Sequence, residues 1–107
     1  MLTRFEAYQL SLEVYRSCEK ITAVHYLKDQ LSRASLSICL NLAEGSGKPS
    51  WKEKRRFYSI ALGSMRETQS LLDILNRVEE RKLSDRIGGM IYRLVHPLAE
   101  TVTGART

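Results

Sequence analysis

The residues from Lys48 to Arg56 have the types and the spacing that bind an anion. Five cationic side chains stand against the single carboxylate of Glu53, so this run holds +4 of the chain's formal net charge of +5. Lysine and arginine neutralise phosphates and release their counterions. Trp51 adds a ring on which an unpaired base can stack. The run predicts a nucleic-acid-binding surface, here called the basic patch, formed by Lys48, Trp51, Lys52, Lys54, Arg55 and Arg56.

The basic patch also has simpler explanations. A run of charges is most often a solvated helix face, and Trp51 can instead pack the loop onto the helices. Cations early in a helix oppose its macrodipole, by about 0.3–1 kcal/mol each when exposed. The local sequence therefore works against the helix that it begins, which favours a binding role without excluding the alternatives.

No pattern in the sequence indicates catalysis or a metal centre. A phosphate loop, paired carboxylates and a nucleophile beside a base are all missing from the chain. His25 and His96 have no ligand partner at helical spacing, and Cys18 and Cys39 lie on or beside apolar stripes. We predict a non-enzymatic protein with no cofactor, no metal and two buried, reduced thiols.

Length and composition are those of one globular domain, which we expect to span residues 1–107. The net charge of +5 allows a polyanionic partner but is weak evidence alone. The start, Met1–Glu6, lacks the apolar stretch of a secretory signal, and no segment has the roughly 18 consecutive apolar residues of a membrane span. We expect a cytoplasmic protein with no membrane contact.

Apolar residues recur at helical spacing through most of the chain, with no strand alternation. We predict an all-α fold, an antiparallel up-down-up-down four-helix bundle, with helices at about 3–22, 26–44, 50–81 and 84–100. The stripes are Leu10, Val14, Cys18 and Ile21; then Leu27, Leu31, Ala34, Ile38 and Leu42; then Phe57, Ala61, Met65, Thr68, Leu72 and Leu75; and finally Ile87, Ile91, Leu94 and Leu98.

Capping residues place the ends of these helices. Gly45 stands where a left-handed cap would close the second helix, and Ser50 with Glu53 forms a capping box for the third. The segment 81–83 predicts the end of the third helix, with Ser84 capping the fourth. Pro97 should kink or end the last helix near Val95.

A second apolar set lies away from these stripes. Leu36, Leu40 and Ala43 share the second helix, and Leu62 belongs to the third. Such a wide apolar arc is either a deeper core or a subunit interface. We expect Leu36, Leu40 and Leu62 to form an oligomer interface.

Asn41 and Glu44 share a helix face just before Gly45. No second carboxylate or histidine stands at catalytic spacing, so the expected role is structural. Arg33 and Arg66 are candidate ion partners of Glu44, because a partly buried carboxylate needs a counter-charge. Arg33, Asn41, Glu44 and Gly45 are therefore expected to form a structural motif.

Four segments together resemble the bacterial four-helix bundle proteins encoded in intervening sequences of large-subunit ribosomal RNA genes. They are Phe5-Glu6 with Leu10 and Tyr15, the segment 31–38, the sequence Asn41-Leu42-Ala43-Glu44-Gly45, and the segment 57–67. The resemblance extends from about Phe5 to Leu98. It implies a homo-oligomeric ring, a pentamer, and kinship with the accessory proteins of diversity-generating retroelements. Those relatives imply two partners, nucleic acid and a reverse transcriptase.

Residues and resemblance together predict a non-enzymatic oligomer, encoded in an intervening sequence or a similar element, that binds RNA or an RNA/DNA intermediate through the basic patch. The alternative is a protein-interaction scaffold without nucleic acid contact.

Overall fold

Four helices make up the part of the chain that the computed structural model describes, residues 4–97. They are α1 (Arg4–Glu19), α2 (His25–Ser46), α3 (Trp51–Ile74) and α4 (Val78–Val95). No strand occurs within residues 4–97, and the all-α prediction is confirmed. None of the four helices is both long and apolar enough to cross a bilayer.

The helices pack in the ring order α1, α2, α3, α4, with α4 closing against α1. Successive helices run antiparallel, because the early residues of one contact the late residues of the next. The predicted four-helix bundle is thus present, about 48 Å long and 22 by 18 Å across. Its side-chain contacts include Ser11 to Cys39 and Ser32 to Glu19 between α1 and α2, Ser37 to Ser64 between α2 and α3, and Gln69 to Ser84 between α3 and α4.

The core consists of the inward stripes of the four helices. Burying these side chains removes apolar surface from water, which is the main stabilising term of such a bundle. Most of the predicted stripe residues are buried, while Leu10, Leu27, Leu75 and Leu94 pack against the core only partly. The largest fully buried side chains include Leu31, Ile38 and Leu42 from α2, Tyr58, Met65 and Leu72 from α3, and Ile87 and Ile91 from α4.

The predicted boundary between the third and fourth helices is wrong. Helix α3 ends at Ile74, and Asn76 has the left-handed conformation with a φ of 58°. Asparagine tolerates this conformation better than most residues, and the Arg77 amide donates to the Leu72 carbonyl at 2.9 Å across the turn. The segment 81–83 lies inside α4, and Ser84 is buried there with its hydroxyl donating to the Arg81 carbonyl.

The other end of α4 agrees with the sequence. The helix ends at Val95, two residues before Pro97, as a proline that removes a donor would require. The predicted continuation through residues 98–100, Leu98 of the stripe and the tail to residue 107 lie outside the described residues.

Both thiols are buried between α1 and α2, as predicted. Burial raises the pKa of Cys18 to about 11 and also raises the pKa of Cys39. The Cys39 thiol donates to the Ser11 carbonyl at 3.3 Å, and the Ser11 hydroxyl lies 3.5 Å from the Cys39 sulfur. The two groups therefore behave as small, neutral core residues with local hydrogen bonds.

The carboxyl end of α1 is closed by a side chain from α2. The Lys28 ammonium donates to the carbonyls of Cys18 at 3.2 Å, Glu19 at 2.7 Å and Ile21 at 2.9 Å. The last carbonyls of a helix have no partner within it and form the negative end of its dipole. Lys28 therefore joins α1 to α2 where the chain turns.

We expect Lys28→Met to lower the free energy of unfolding by about 1 kcal/mol, because the carbonyls lose a charged donor. Urea unfolding followed by circular dichroism measures the change. Lys20→Met is the matched control: Lys20 is exposed and near the same turn, and it should change stability by less than about 0.5 kcal/mol. Equal effects of the two substitutions would contradict this role of Lys28.

Candidate nucleic-acid interface

The basic patch lies at the α2–α3 end of the bundle, on the first turns of α3. Ser50 caps this helix: its hydroxyl accepts from the Glu53 amide at 3.2 Å and lies 3.3 Å from the Glu53 carboxylate. This confirms the predicted N-cap. The capping serine fixes the direction in which α3 leaves the loop, and with it the directions of the cationic side chains.

Gly45 does not end α2 with a left-handed cap, so that prediction is wrong. The helix continues to Ser46, and Gly47 follows it with a φ of −91°. Gly45 is buried, and a Cβ atom there would stand 2.7 Å from Cε1 of Tyr58 and 3.1 Å from Cβ of Phe57. Its lack of a side chain lets α2 approach α3 closely at the first turns of α3.

Two cations of the patch lie over the aromatic ring of Phe57. The Lys48 ammonium and the Arg56 guanidinium each lie 5.1 Å from the centre of its ring, within the range of cation–π attraction. Lys48 also pairs with Glu44 at 3.0 Å. The apolar periodicity predicts Phe57 only as a core residue. Its position directly after Arg56 is the one signal in the sequence that points to this contact.

Two further cations of the patch donate hydrogen bonds to carbonyl groups at the ends of other helices. Lys54 donates to the Ser46 carbonyl at 3.1 Å, and Arg55 Nε donates to the Val95 carbonyl at 3.0 Å. These carbonyls belong to the last turns of α2 and α4, where the helix dipole favours a cation. Both contacts join residues distant enough in sequence that helical spacing alone does not indicate them.

Trp51 is 42% exposed, so a large part of its side chain faces solvent. It lines a shallow, open depression with Lys52, Arg55, Arg56 and Ser59. An aromatic surface among cationic side chains is the combination that single-stranded nucleic acid binds. A flat ring open to solvent here can receive a base.

Most of the patch keeps its charge uncompensated. Among the five cations of the patch, only Lys48 forms an ion pair with a carboxylate of the described residues. Lys52, Lys54, Arg55 and Arg56 have no such partner among residues 4–97. An exposed cluster without counter-charges produces a positive potential that attracts polyanions.

The expected motif around Asn41 and Glu44 is only partly assembled. Arg33 pairs with Asp29 at 3.0 Å, not with Glu44. Glu44 is exposed and pairs with Lys48, so the prediction that Arg33 or Arg66 would be its counter-ion is wrong. Arg33 lies about three turns before Glu44 on the same helix, too far for contact.

Asn41 has the structural role expected of it. Its amide donates to the Ser37 carbonyl at 2.9 Å and contacts the Ser37 hydroxyl at 3.1 Å. That hydroxyl lies 2.7 Å from the Ser64 hydroxyl. Asn41 thus belongs to a small polar cluster that joins α2 to α3.

The predicted interface residues separate into two groups. Leu36 and Leu40 are 39% and 59% exposed, and they lie one turn apart on the outward face of α2. Leu62 instead packs against the core, as a partly buried residue. It therefore contributes to the core of the single chain, and its expected role in an oligomer interface stays a prediction.

No group of three or more His, Cys, Asp or Glu residues within residues 4–97 is arranged to hold a metal ion. The described surface is instead that of a helical bundle with one cationic end and an outward apolar stripe on α2.

A comparison with protein families shows which family the chain belongs to. The family model for 23S rRNA-intervening sequence proteins matches residues 4–87, from the start of α1 into α4. The chain belongs to this family. Searches of curated proteins and of solved structures each found no match.

Gly45→Ala should lower the free energy of unfolding by about 1–3 kcal/mol, because the added methyl group overpacks against the buried Tyr58 ring. Helix propensity alone predicts the opposite sign, a gain of up to about 1 kcal/mol. Gly63→Ala is the control, since a Cβ there meets nothing within 4 Å. Denaturant unfolding of both variants decides the matter, and a stabilised Gly45→Ala protein would refute the close approach.

Proposed function

We propose that this protein is a non-enzymatic nucleic-acid-binding oligomer that engages RNA, or an RNA/DNA intermediate, through the basic patch. The main support is that Lys52, Arg55 and Arg56, which line the depression beside the exposed Trp51, have no carboxylate partner among the described residues. The family is named for intervening sequences of 23S ribosomal RNA, which supports a nucleic acid partner.

The patch suits phosphate contact with little reading of base sequence. Lysine and arginine contacts to phosphate position a nucleic acid without selecting its sequence. Trp51 adds stacking, which every base can supply. We therefore expect structured RNA with unpaired segments to bind better than a simple duplex.

Assembly through the outward face of α2 would bring several copies of the basic patch together in one oligomer. Exposed Leu36 and Leu40 are the proposed contact, and the family resemblance supports a pentamer. Repeating a weak site on one ring raises its avidity without any new contact. We place this ring in the cytoplasm, with a reverse transcriptase as a possible protein partner suggested by the resemblance.

The second candidate function is a protein-interaction scaffold without nucleic acid. The exposed α2 face favours it, because such a face fits a protein partner as well as it fits a second copy. In that case the cations would meet an acidic protein surface.

Lys52→Glu with Arg56→Glu should weaken binding to structured RNA by at least about tenfold at low salt and reduce its salt dependence. These two residues are chosen because Lys54 and Arg55 also hold the ends of α2 and α4. Fluorescence anisotropy at two salt concentrations measures both quantities.

The matched control is Lys82→Glu with Arg86→Glu, two exposed cations of α4 outside the patch. It makes the same change in net charge and should have a much smaller effect. Equal binding by the wild type and the patch variant would refute the nucleic-acid function and favour the scaffold.

Leu40→Asp should dissociate the oligomer, because a carboxylate would be buried without a partner in an apolar contact. Light scattering should find a wild-type mass near five times the 12.3 kDa chain mass and a smaller mass for the variant. Ile74→Asp, an exposed apolar residue at the other end of the bundle, is the control. An unchanged mass for Leu40→Asp would exclude this face as the interface.

A further inference from the structure

A shallow groove lies along the seam between α3 and α4, beyond the basic patch. Arg66 of α3 and Gly89, Tyr92 and Arg93 of α4 line it, with Arg81 and Asp85 in the half nearer the α3–α4 turn. None of these residues belongs to a binding surface predicted from the sequence.

The groove is cationic. Arg81 is compensated by ion pairs with Asp73 and Asp85. Arg66 and Arg93 are exposed and have no carboxylate partner within residues 4–97. Two uncompensated guanidinium groups therefore remain, and guanidinium matches the geometry of phosphate oxygens.

Packing explains one of the two adjacent glycines but not the other. A Cβ at Gly88 would stand 3.0 Å from Gln69 Nε2 and 3.3 Å from Met65 Cγ, so a larger residue there would crowd the α3–α4 contact. A Cβ at Gly89 would meet nothing within 4 Å. Glycine lowers helix stability relative to alanine, yet Gly89 relieves no contact within the chain. Its effect is to leave the groove open to close approach by a ligand.

Tyr92 supplies an aromatic surface to this groove. The side chain is 47% exposed, and its ring centre lies 4.5 Å from that of His96. The neighbouring ring limits its rotation while one part stays open to solvent. An exposed aromatic beside an arginine without a carboxylate partner repeats the combination of Trp51 and Arg56 in the basic patch.

The groove and the basic patch lie along the same face of α3. Arg55 of the patch bonds to the Val95 carbonyl, only a few residues from Tyr92 and Arg93 on α4. Along α3, Arg55 and Arg66 are separated by three helical turns, about 16 Å, and share one face. That length accommodates several phosphates of one strand.

We propose that this groove holds a single-stranded segment of nucleic acid that continues from the basic patch, with Arg66 and Arg93 at phosphates and Tyr92 against a base. A single strand is required because its bases are free to stack on side chains. This inference rests on the proposed function and extends it by naming the path and the class of ligand.

The test titrates the protein with fluorescein-labelled oligo(dT) and oligo(U) at several salt concentrations. Arg66→Gln with Arg93→Gln should weaken binding about tenfold and lower the slope of log affinity against log salt by about 2, as for two lost phosphate contacts. Lys82→Gln with Arg86→Gln removes the same charge outside the groove and should leave the slope near that of wild type.

Gly89→Leu fills the groove without changing charge. It should fold with an equal or higher Tm, because leucine favours a helix, and it should still bind more weakly. Groove variants that bind like the wild type, beside a weakened Lys52→Glu/Arg56→Glu protein, would overturn the groove and leave the proposed function intact. A wild-type protein that binds structured RNA but neither oligonucleotide would overturn the strand groove and leave the proposed function intact. A wild-type protein that binds none of the three would overturn both. A changed molar mass for Gly89→Leu would make the groove a contact between copies and overturn its role as a strand site.

Discussion

The close contact between α2 and α3 at Gly45 determines the geometry of the cationic end. A side chain there would overlap the buried ring of Tyr58. The two helices can therefore pack this closely only because the residue has no Cβ. Phe57 is brought against α2 by the same approach, and Lys48 and Arg56 then lie over its ring. The Asn41–Ser37–Ser64 cluster joins the same two helices farther along. Backbone packing and surface charge are thus coupled through one residue.

Helix periodicity allowed most of the fold to be predicted, because inward positions must be apolar whatever the neighbouring helix is. The helix start at Ser50 and the helix end before Pro97 were also predicted correctly, because capping and the loss of a backbone donor are local effects. The α3–α4 boundary was not predictable in this way. Asn76 ends α3 by adopting a left-handed conformation, whereas Ser84 has the residue type of a cap but lies buried within a helix. Asn76 and Ser84 both have residue types that occur at helix ends, and only their tertiary surroundings decide which of them lies at one.

The candidate site was predictable in composition but not in arrangement. The basic patch could be located from the sequence alone, because counting charged residues along the chain requires no structure. The partners of individual residues depend on which helix ends meet. Glu44 pairs with the nearby Lys48 instead of Arg33, and Arg55 bonds to a carbonyl at the far end of α4. Gly45 shows the same limit, because a glycine after a helical stripe fits a helix end and a close approach equally well.

The carbonyl contacts of Lys54 and Arg55 have a consequence for the entropy of binding. Each uses only part of its side chain's donors: Arg55 is held through Nε, which leaves the terminal guanidinium nitrogens free, and the Lys54 ammonium has two further protons. Ordering a long side chain on binding costs about 0.5–1.5 kcal/mol. Here folding has already restricted both side chains while they keep donors for a ligand. The fold thus preorganises the cations that lie nearest the ends of α2 and α4.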